Sequence, residues 1–316
     1  MTAAILVEPT AESVEARLRD ELAQGDAMLS TGAPVLRHLL VGDDQAFLSD
    51  EVVARVRGML THVARQLLHA LAEAASIADP RPFVAEREDG LAQRLADQPA
   101  FLAHVHALTI EARLAIQLQA RSNIDPVLCP LVQDLVASRD DSVAATAMAL
   151  LAAQARFIQH YRRMLLPLGE LPGELLQMAL QALRATAGER EPDAVAAEHT
   201  VRDAFDETRS RLGLISSLVA RAVEPAPRAL DLGQTGLSIF ATALATASGQ
   251  ERDVMVFSFS ERRVARLALA MCAVGVEHRS IANQLLNLHP DVVLPEGFEM
   301  LSAERAAFLL AADGQS

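Results

Sequence analysis

The sequence predicts an all-α protein, and three observations support this prediction. Of the 316 residues 51% are hydrophobic, yet only 3% are aromatic. Ala, Leu, Val and Arg dominate the chain, a composition that favours helix over sheet. Apolar residues recur at helical spacing, and the single candidate strand, residues 253–260, has no second strand with which to pair.

The N-terminal part predicts two short helices followed by a long one. The first spans residues 12–24, the second opens at the Gly-Ala-Pro of 32–34, and the long helix spans 51–77. Apolar residues recur in them at three- or four-residue spacing. The Asp-Pro-Arg-Pro of 79–82 ends the long helix, because two prolines cannot sit inside a helix.

Further along the chain, acidic residues that stand at or just before prolines mark helix starts. The predicted helices form three pairs: 83–96 with 99–120, 126–137 with 142–164, and 172–187 with 192–223. Successive pairs begin at a spacing close to the roughly 40–47 residues of HEAT-type repeats. We therefore expect antiparallel helix pairs that stack on one another.

Residues 124–164 carry the features of one such pair. An apolar helix is followed by the Asp-rich turn 138–142 and by a second helix that opens with Val143 and Ala147. This pattern resembles a HEAT-type repeat. The resemblance implies that each helix pair buries its apolar face on neighbouring pairs. An irregular helical array with similar loop lengths stays open as the alternative.

The most linker-like segment is the Glu-Pro-Ala-Pro-Arg of residues 224–228, since its prolines block helix continuation. It divides the chain into a predicted helical array, residues 1–225, and a smaller C-terminal helical unit, residues 229–316. The helices predicted in the smaller unit span 237–248, 261–274, 279–288 and 303–312.

Charge and composition exclude several classes of function. The net charge of −13 argues against generic nucleic-acid binding and against docking on anionic lipid. The 28 basic residues are all Arg, so the lysines of phosphate-binding loops, protein kinases and pyridoxal-phosphate enzymes are missing. Metal-ligand and hydrolase motifs are missing as well. We therefore expect no cofactor and no catalytic metal.

Cysteine use and hydropathy predict a cytoplasmic protein. Cys129 and Cys272 stand far apart in apolar helical patterns, as expected of free thiols in a reducing compartment. The N-terminus lacks the basic segment of a secretory signal, and the longest apolar run, residues 143–153, is too short to span a bilayer. We expect an acidic cytoplasmic protein of bacterial origin without a membrane segment.

Three polar side chains share one face of the long helix: His62, His69 and Glu73. They are candidates for a metal site, for a functional-histidine pocket, or for phosphotransfer through His62. Residues 62–68 resemble the dimerisation helix of sensor histidine kinases, but they lack the acidic residue after the histidine and the later proline. Because this face lies opposite the apolar one, a solvated helix surface is the alternative.

Residues 264–288 resemble the front half of a helix-turn-helix motif, with Gly275 suited to the tight turn. The expected third helix is replaced by residues 289–295, which contain two prolines. The arginines nearby are almost balanced by acidic residues. A plain helical corner is therefore the alternative, and nucleic acid is not expected as a partner.

A small basic cluster, Arg156, Tyr161, Arg162 and Arg163, stands near the end of the helix predicted at 142–164. The helix dipole and the free C-terminal carbonyls favour arginine there, which explains the cluster without a function. Arg and Tyr are also enriched at interface hot spots. We therefore predict that this corner binds a partner.

The function predicted from the sequence is protein–protein interaction or regulation by a scaffold without catalytic activity. The lack of chemistry motifs and the concave surfaces of stacked helix pairs support this prediction. The expected partner is another protein, and a homo-oligomer stays open. Two alternatives also stay open: a helical signalling module, working by histidine phosphotransfer or as a helix-turn-helix regulator, and an enzyme whose pocket assembles from scattered residues.

Overall fold

The structure, a computed structural model, describes residues 11–41, 50–222, 227–260 and 264–313. Within these ranges the chain forms α-helices and short 3-10 turns, and no strand is present. The all-α prediction is therefore confirmed. None of the helices in the described ranges has both the length and the apolar character that crossing a membrane requires.

The α-helices are numbered in chain order. They are α1 (Ala11–Val41), α2 (Asp50–Ala74), α3 (Pro80–Ala96), α4 (Pro99–Ser122), α5 (Pro130–Val136), α6 (Asp141–Arg162), α7 (Gly173–Ala187), α8 (Glu191–Ala204), α9 (Arg211–Ala222), α10 (Leu232–Ser248), α11 (Arg252–Ser258), α12 (Val264–Ala273), α13 (His278–Leu288) and α14 (Ala303–Asp313).

The chain divides into two compact units that are built from interleaved segments. Unit 1 comprises the described residues of 1–31, 115–131 and 225–316, and unit 2 comprises those of 32–114 and 132–224. Helices α1 and α4 each contribute residues to both units. One boundary between the two units falls in the linker-like segment, between residues 224 and 225. The division into domains 1–225 and 229–316 stays a prediction.

In unit 2, α2 packs most extensively against α3 and also against α8, because a whole face of α2 is apolar. The buried residues of that face include Val52, Val56, Leu60, Val63, Leu67 and Leu71. Helix α7 packs against α3 and α8, and α6 packs against α9. Regular stacking of HEAT-like pairs is not confirmed by this packing and stays a prediction.

In unit 1, α12 is the central helix. Every residue from Val264 to Cys272 is buried, and α12 packs against α10, α11, α13 and α14. Two ion pairs hold α1 in this unit: Asp26 with Arg266 at 2.7 Å and Glu15 with Arg305 at 2.6 Å. Glu15 thereby has its pKa lowered, chiefly by the hydrogen bond from Arg305.

Two predicted helix boundaries near the N-terminus were wrong. Residues 12–24 and the helix predicted to open at 32–34 belong to one continuous helix, α1. Pro34 removes one backbone donor, yet the helix continues through it to Val41, and Leu36 is fully buried. Helix α3 begins at Pro80, because the Asp79 side chain caps it by accepting from the Arg81 N–H (3.1 Å) and the prolines lie in the first turn.

The helix predicted at 126–137 begins later, at Pro130. Asn123 has φ 54°, which ends α4 in the left-handed region. The Asp125 side chain then accepts hydrogen bonds from Val127 N–H (2.7 Å) and Leu128 N–H (2.9 Å). Asp-Pro therefore forms a side-chain-stabilised turn here, because the same residue types favour turns and helix N-termini.

The helix predicted at 192–223 is interrupted. Helix α8 ends at Ala204 and α9 begins at Arg211, while Asp206 caps an intervening 3-10 turn by accepting from the Thr208 N–H at 3.1 Å. The candidate strand at 253–260 is also wrong, since Arg252–Ser258 is helical. A short apolar run does not by itself distinguish a strand from a buried helix.

Candidate functional site

A fully buried ion pair lies in unit 2. Arg211, the first residue of α9, is 2% exposed and Glu111 on α4 is 0% exposed. The guanidinium makes two hydrogen bonds to the carboxylate, Nη1 to Oε1 at 2.6 Å and Nη2 to Oε2 at 3.1 Å. Bidentate contacts of this kind are the strongest form of the Arg–carboxylate ion pair. The pair links α9 to α4, and loss of one partner of a buried ion pair is strongly destabilising.

Three further groups surround the Arg211 side chain and backbone. Nη1 also donates to Gln154 Oε1 (3.2 Å), and the backbone N–H donates to Glu170 Oε2 (2.8 Å). The Phe157 ring lies against the guanidinium, with 3.7 Å between Cζ and the ring centroid. Sequence reasoning missed this cluster. Its one signal is Glu111, a carboxylate in the middle of the apolar pattern of α4.

A small cavity of about 20 Å³ lies beside the cluster, lined among others by Phe157, Tyr161, Glu170 and Arg211. A volume of that size accommodates about one water molecule. The charges of Arg211 and Glu111 also neutralise each other. The arrangement is therefore suited to fixing the fold rather than to binding a substrate.

The turn after α6 is held against α2 by a side-chain clamp. Leu166 N–H donates to Nδ1 of His62 at 3.1 Å, and Leu168 N–H donates to Oε1 of Gln66 at 3.1 Å. Gln66 Nε2 in turn donates to the Leu166 carbonyl at 2.9 Å. Met164 packs so closely on Gly58 of α2 that a Cβ there would stand 2.6 Å from the Met164 Cβ. These contacts fix the position of the turn.

Tyr161, predicted as part of a partner-binding corner, is buried, with 3% of its surface exposed. The guanidinium of Arg55 lies 4.0 Å from the ring centroid and donates to the Tyr161 carbonyl at 2.7 Å. Arg55 also pairs with Glu51 at 3.0 Å. Burial raises the pKa of the Tyr161 phenol. The structure therefore places Tyr161 beneath the surface, where it supports the end of α6.

The three arginines of the predicted corner are exposed. Arg156 and Arg162 lie on the last turns of α6, and Arg163 caps its C-terminus. Within the described ranges none of the three forms an ion pair. Met164 follows them with a left-handed φ of 56° and is 37% exposed. In a chain with a net charge of −13, these residues make a local cationic surface with an apolar edge.

His160 lines the small cavity beside the buried cluster, and the charges of Arg156 and Arg163 act on its imidazole. Burial lowers the pKa of its imidazole, and the charges of His62, Arg156 and Arg163 lower it further, against the opposing effect of Glu170. The pKa therefore lies below the ordinary histidine value, and the imidazole adds little charge at neutral pH.

The candidate histidine set does not converge in the structure. His62 is half-buried and engaged with the turn after α6, whereas His69 and Glu73 are exposed on α2. Within the part of the chain that the structure describes, no group of His, Cys, Asp or Glu is arranged to hold a metal. A role for these three residues in catalysis or phosphotransfer stays a prediction.

The segment that resembles a helix-turn-helix forms two helices, α12 and α13, with Gly275 at φ 82° in the turn between them. Residues 289–297 after α13 contain no helix. Both cysteines are buried thiols without a disulfide in the described ranges, and burial raises the pKa of the Cys272 thiol. Neither thiol is placed to act as a nucleophile.

Comparisons with known proteins give no match: no family model, no curated protein and no solved structure is significantly similar to this chain.

Proposed function

We propose that this protein is a cytoplasmic protein–protein interaction scaffold without catalytic activity, built from stacked helix pairs. Arg156, Arg162 and Arg163 contact an acidic surface of the partner protein. The observation that carries the proposal is the exposure of these three arginines, none of which has a carboxylate partner among the described residues.

The chemistry of these side chains suits an interface. Arginine presents several hydrogen-bond donors in a fixed plane and can form bidentate hydrogen bonds with the carboxylates of a partner. Arginine and methionine are also enriched at interfaces relative to the rest of protein surfaces. Met164, exposed beside Arg163, gives the surface an apolar element that a small inorganic anion would not contact favourably.

The support beneath the arginines favours tight binding. Tyr161 is buried below them, the following turn is clamped by His62 and Gln66, and Arg211 ties this region to α4. A surface held in one conformation loses little conformational entropy when a partner docks. This rigidity is a physical reason to expect binding at the end of α6 rather than at the exposed loops.

The test is a pull-down of the tagged full chain from its native cells at near-native expression, read by quantitative mass spectrometry. The charge-reversal variant R156E/R162E/R163E is expected to lose one or two stoichiometric partners that the original chain retains. The recovered partner should present acidic residues, and its binding should weaken as ionic strength rises.

The matched control is R81E/R94E/R139E, which makes the same change in net charge at three exposed arginines of unit 2. It should retain the partner. Equal loss in both triple variants, or full retention in R156E/R162E/R163E, would contradict the proposed surface. A clean preparation without any partner would turn attention to the alternatives, phosphotransfer through His62 or an enzyme pocket.

A further inference from the structure

An open groove of about 510 Å³ lies in unit 1, between α13 and the segment that follows it. Its walls are mainly apolar and include Leu286 on α13 and Val293, Leu294, Pro295 and Phe298 on the following segment. The groove occupies the place where the sequence pattern lacks the third helix of a helix-turn-helix.

Two of these apolar side chains face solvent to an unusual degree. Leu286 is 53% exposed and Val293 is 87% exposed, whereas Leu285 beside them is buried. Each exposed aliphatic side chain forgoes part of the stabilisation that full burial would provide. Grouped exposed apolar side chains with a polar rim are typical of interaction sites.

The walls of the groove are held in place. Phe298 is 2% exposed and stacks edge-on against His278, with 5.6 Å between the ring centroids. His278 Nε2 contacts the Leu301 carbonyl at 3.1 Å. At the other end of the segment, His289 Nε2 contacts the Phe259 carbonyl at 2.5 Å. The segment is thus anchored at both ends, and contacts within the chain hold the walls of the groove in place.

The rim of the groove carries an excess of negative charge. Glu296 and Glu299 line it, and Asp291 is exposed on the same segment. Arg279 stands on the α13 side. Among the described residues none of these three carboxylates forms an ion pair. An occupant with positive charge beside its apolar side chains is therefore complementary, and the phosphates of nucleic acid or lipid are repelled.

From this combination we infer that the groove binds a short amphipathic segment of a partner protein, in which at least two apolar side chains are flanked by Lys or Arg. The apolar side chains pack between Leu286 and Val293, and the basic side chains meet Glu296 and Glu299. This is the helix-in-groove mode of recognition. The groove is open to solvent, which suits a polypeptide better than a small molecule, whose sites bury most of the ligand.

The inference is independent of the proposed function, because the two surfaces use different residues in different units. The test begins with the full chain and a library of random short peptides, with the variant L286S/V293S used to remove peptides that bind elsewhere. Both side chains are largely exposed, so serine at these positions should leave the fold intact, as circular dichroism would verify. The enriched peptides are expected to combine apolar residues with Lys or Arg flanks.

The strongest peptide is then synthesised and its affinity measured. L286S/V293S should bind it on the order of a hundredfold more weakly, because two apolar contacts are lost. E296R/E299R should bind it on the order of tenfold more weakly at low salt, with the difference shrinking at high salt. The control F308S/M148S, which removes two exposed apolar side chains outside the groove, should bind normally.

Several results would overturn the inference. One is failure to enrich any peptide over L286S/V293S, and another is enrichment of peptides with acidic or uncharged flanks. A third is equal weakening in F308S/M148S. Concentration-dependent dimerisation that disappears in L286S/V293S would identify a second copy of this chain as the occupant instead.

Discussion

Replacement of Arg211 by methionine tests the reasoning about the buried ion pair. The substitution removes the guanidinium and leaves the fully buried carboxylate of Glu111 without its two hydrogen bonds. The backbone N–H of residue 211, which donates to Glu170, is retained. Loss of one partner of a buried pair destabilises proteins by about 3–5 kcal/mol. We expect R211M to lower the free energy of unfolding by this amount.

The double variant E111L/R211M separates the pair interaction from simple loss of volume. Replacing both charges with apolar side chains of similar size is often close to neutral, so this variant should recover most of the loss. The coupling free energy between the two sites should therefore be at least about 3 kcal/mol in magnitude, far above the roughly 0.3–0.5 kcal/mol within which independent sites add. Urea unfolding followed by circular dichroism measures all four proteins of the cycle.

A surface pair provides the control. Arg65 and Glu88 also form a bidentate ion pair, but the Arg65 side chain is 54% exposed. R65M should change the free energy of unfolding by only about 0–1 kcal/mol, because solvent screens exposed pairs. The reasoning is refuted if R211M loses no more than R65M does, or if E111L/R211M is as unstable as the sum of its single substitutions.

Three further predictions concern packing, pH and thiol chemistry. Gly58→Ala should lower the urea midpoint and shift the NMR signals of Met164, because the added Cβ would stand 2.6 Å from the Met164 Cβ. Gly90→Ala is the control: its Cβ would meet no atom within 4 Å, so the substitution should be neutral or stabilising. The pKa of His160 is lower in the folded chain than in the unfolded chain, so the unfolded chain binds a proton more readily and the free energy of unfolding falls as the pH drops below about 6.5. His160→Gln should reduce this loss of stability at low pH. An ordinary histidine pKa for His160 in an NMR titration would contradict the prediction. Burial should make both thiols, including Cys272 with its raised pKa, react slowly with a thiol reagent until urea unfolds the chain; fast labelling of the native protein would show that this burial is wrong.

Helical periodicity accounts for the part of the fold that the sequence predicted. The face of α2 that contains Val56 and Leu60 is buried as expected, and Asp140 caps α6 by accepting from the Ser142 N–H at 2.9 Å. Two of the boundaries that failed involve Asp-Pro, which starts a helix after Asp79 and forms a turn at Asp125. The same dipeptide has both outcomes, so the local pattern does not decide between them.

The candidate site could be predicted only in part, for the same reason. The arginines near the end of α6 were found because they are neighbours in sequence. Arg211 and Glu111, in contrast, are 100 residues apart, and nothing in the local sequence of Arg211 distinguishes it from the many surface arginines. The pairing of distant charges depends on tertiary structure. A carboxylate within an apolar helix face predicts only that a cation lies opposite.

Because Tyr161 is buried, it supports the predicted partner-binding corner from below instead of contacting the partner directly. As an exposed ring it would have been one contact among several, with its own conformational freedom to lose. As a buried ring against Arg55 it fixes the end of α6, and the clamp of His62 and Gln66 fixes the turn that follows. Exposed arginines on a flexible element would bind weakly, because docking would have to order both the backbone and the side chains. On this support only the side chains need ordering, which is why the end of α6 is the surface where charge reversal should act.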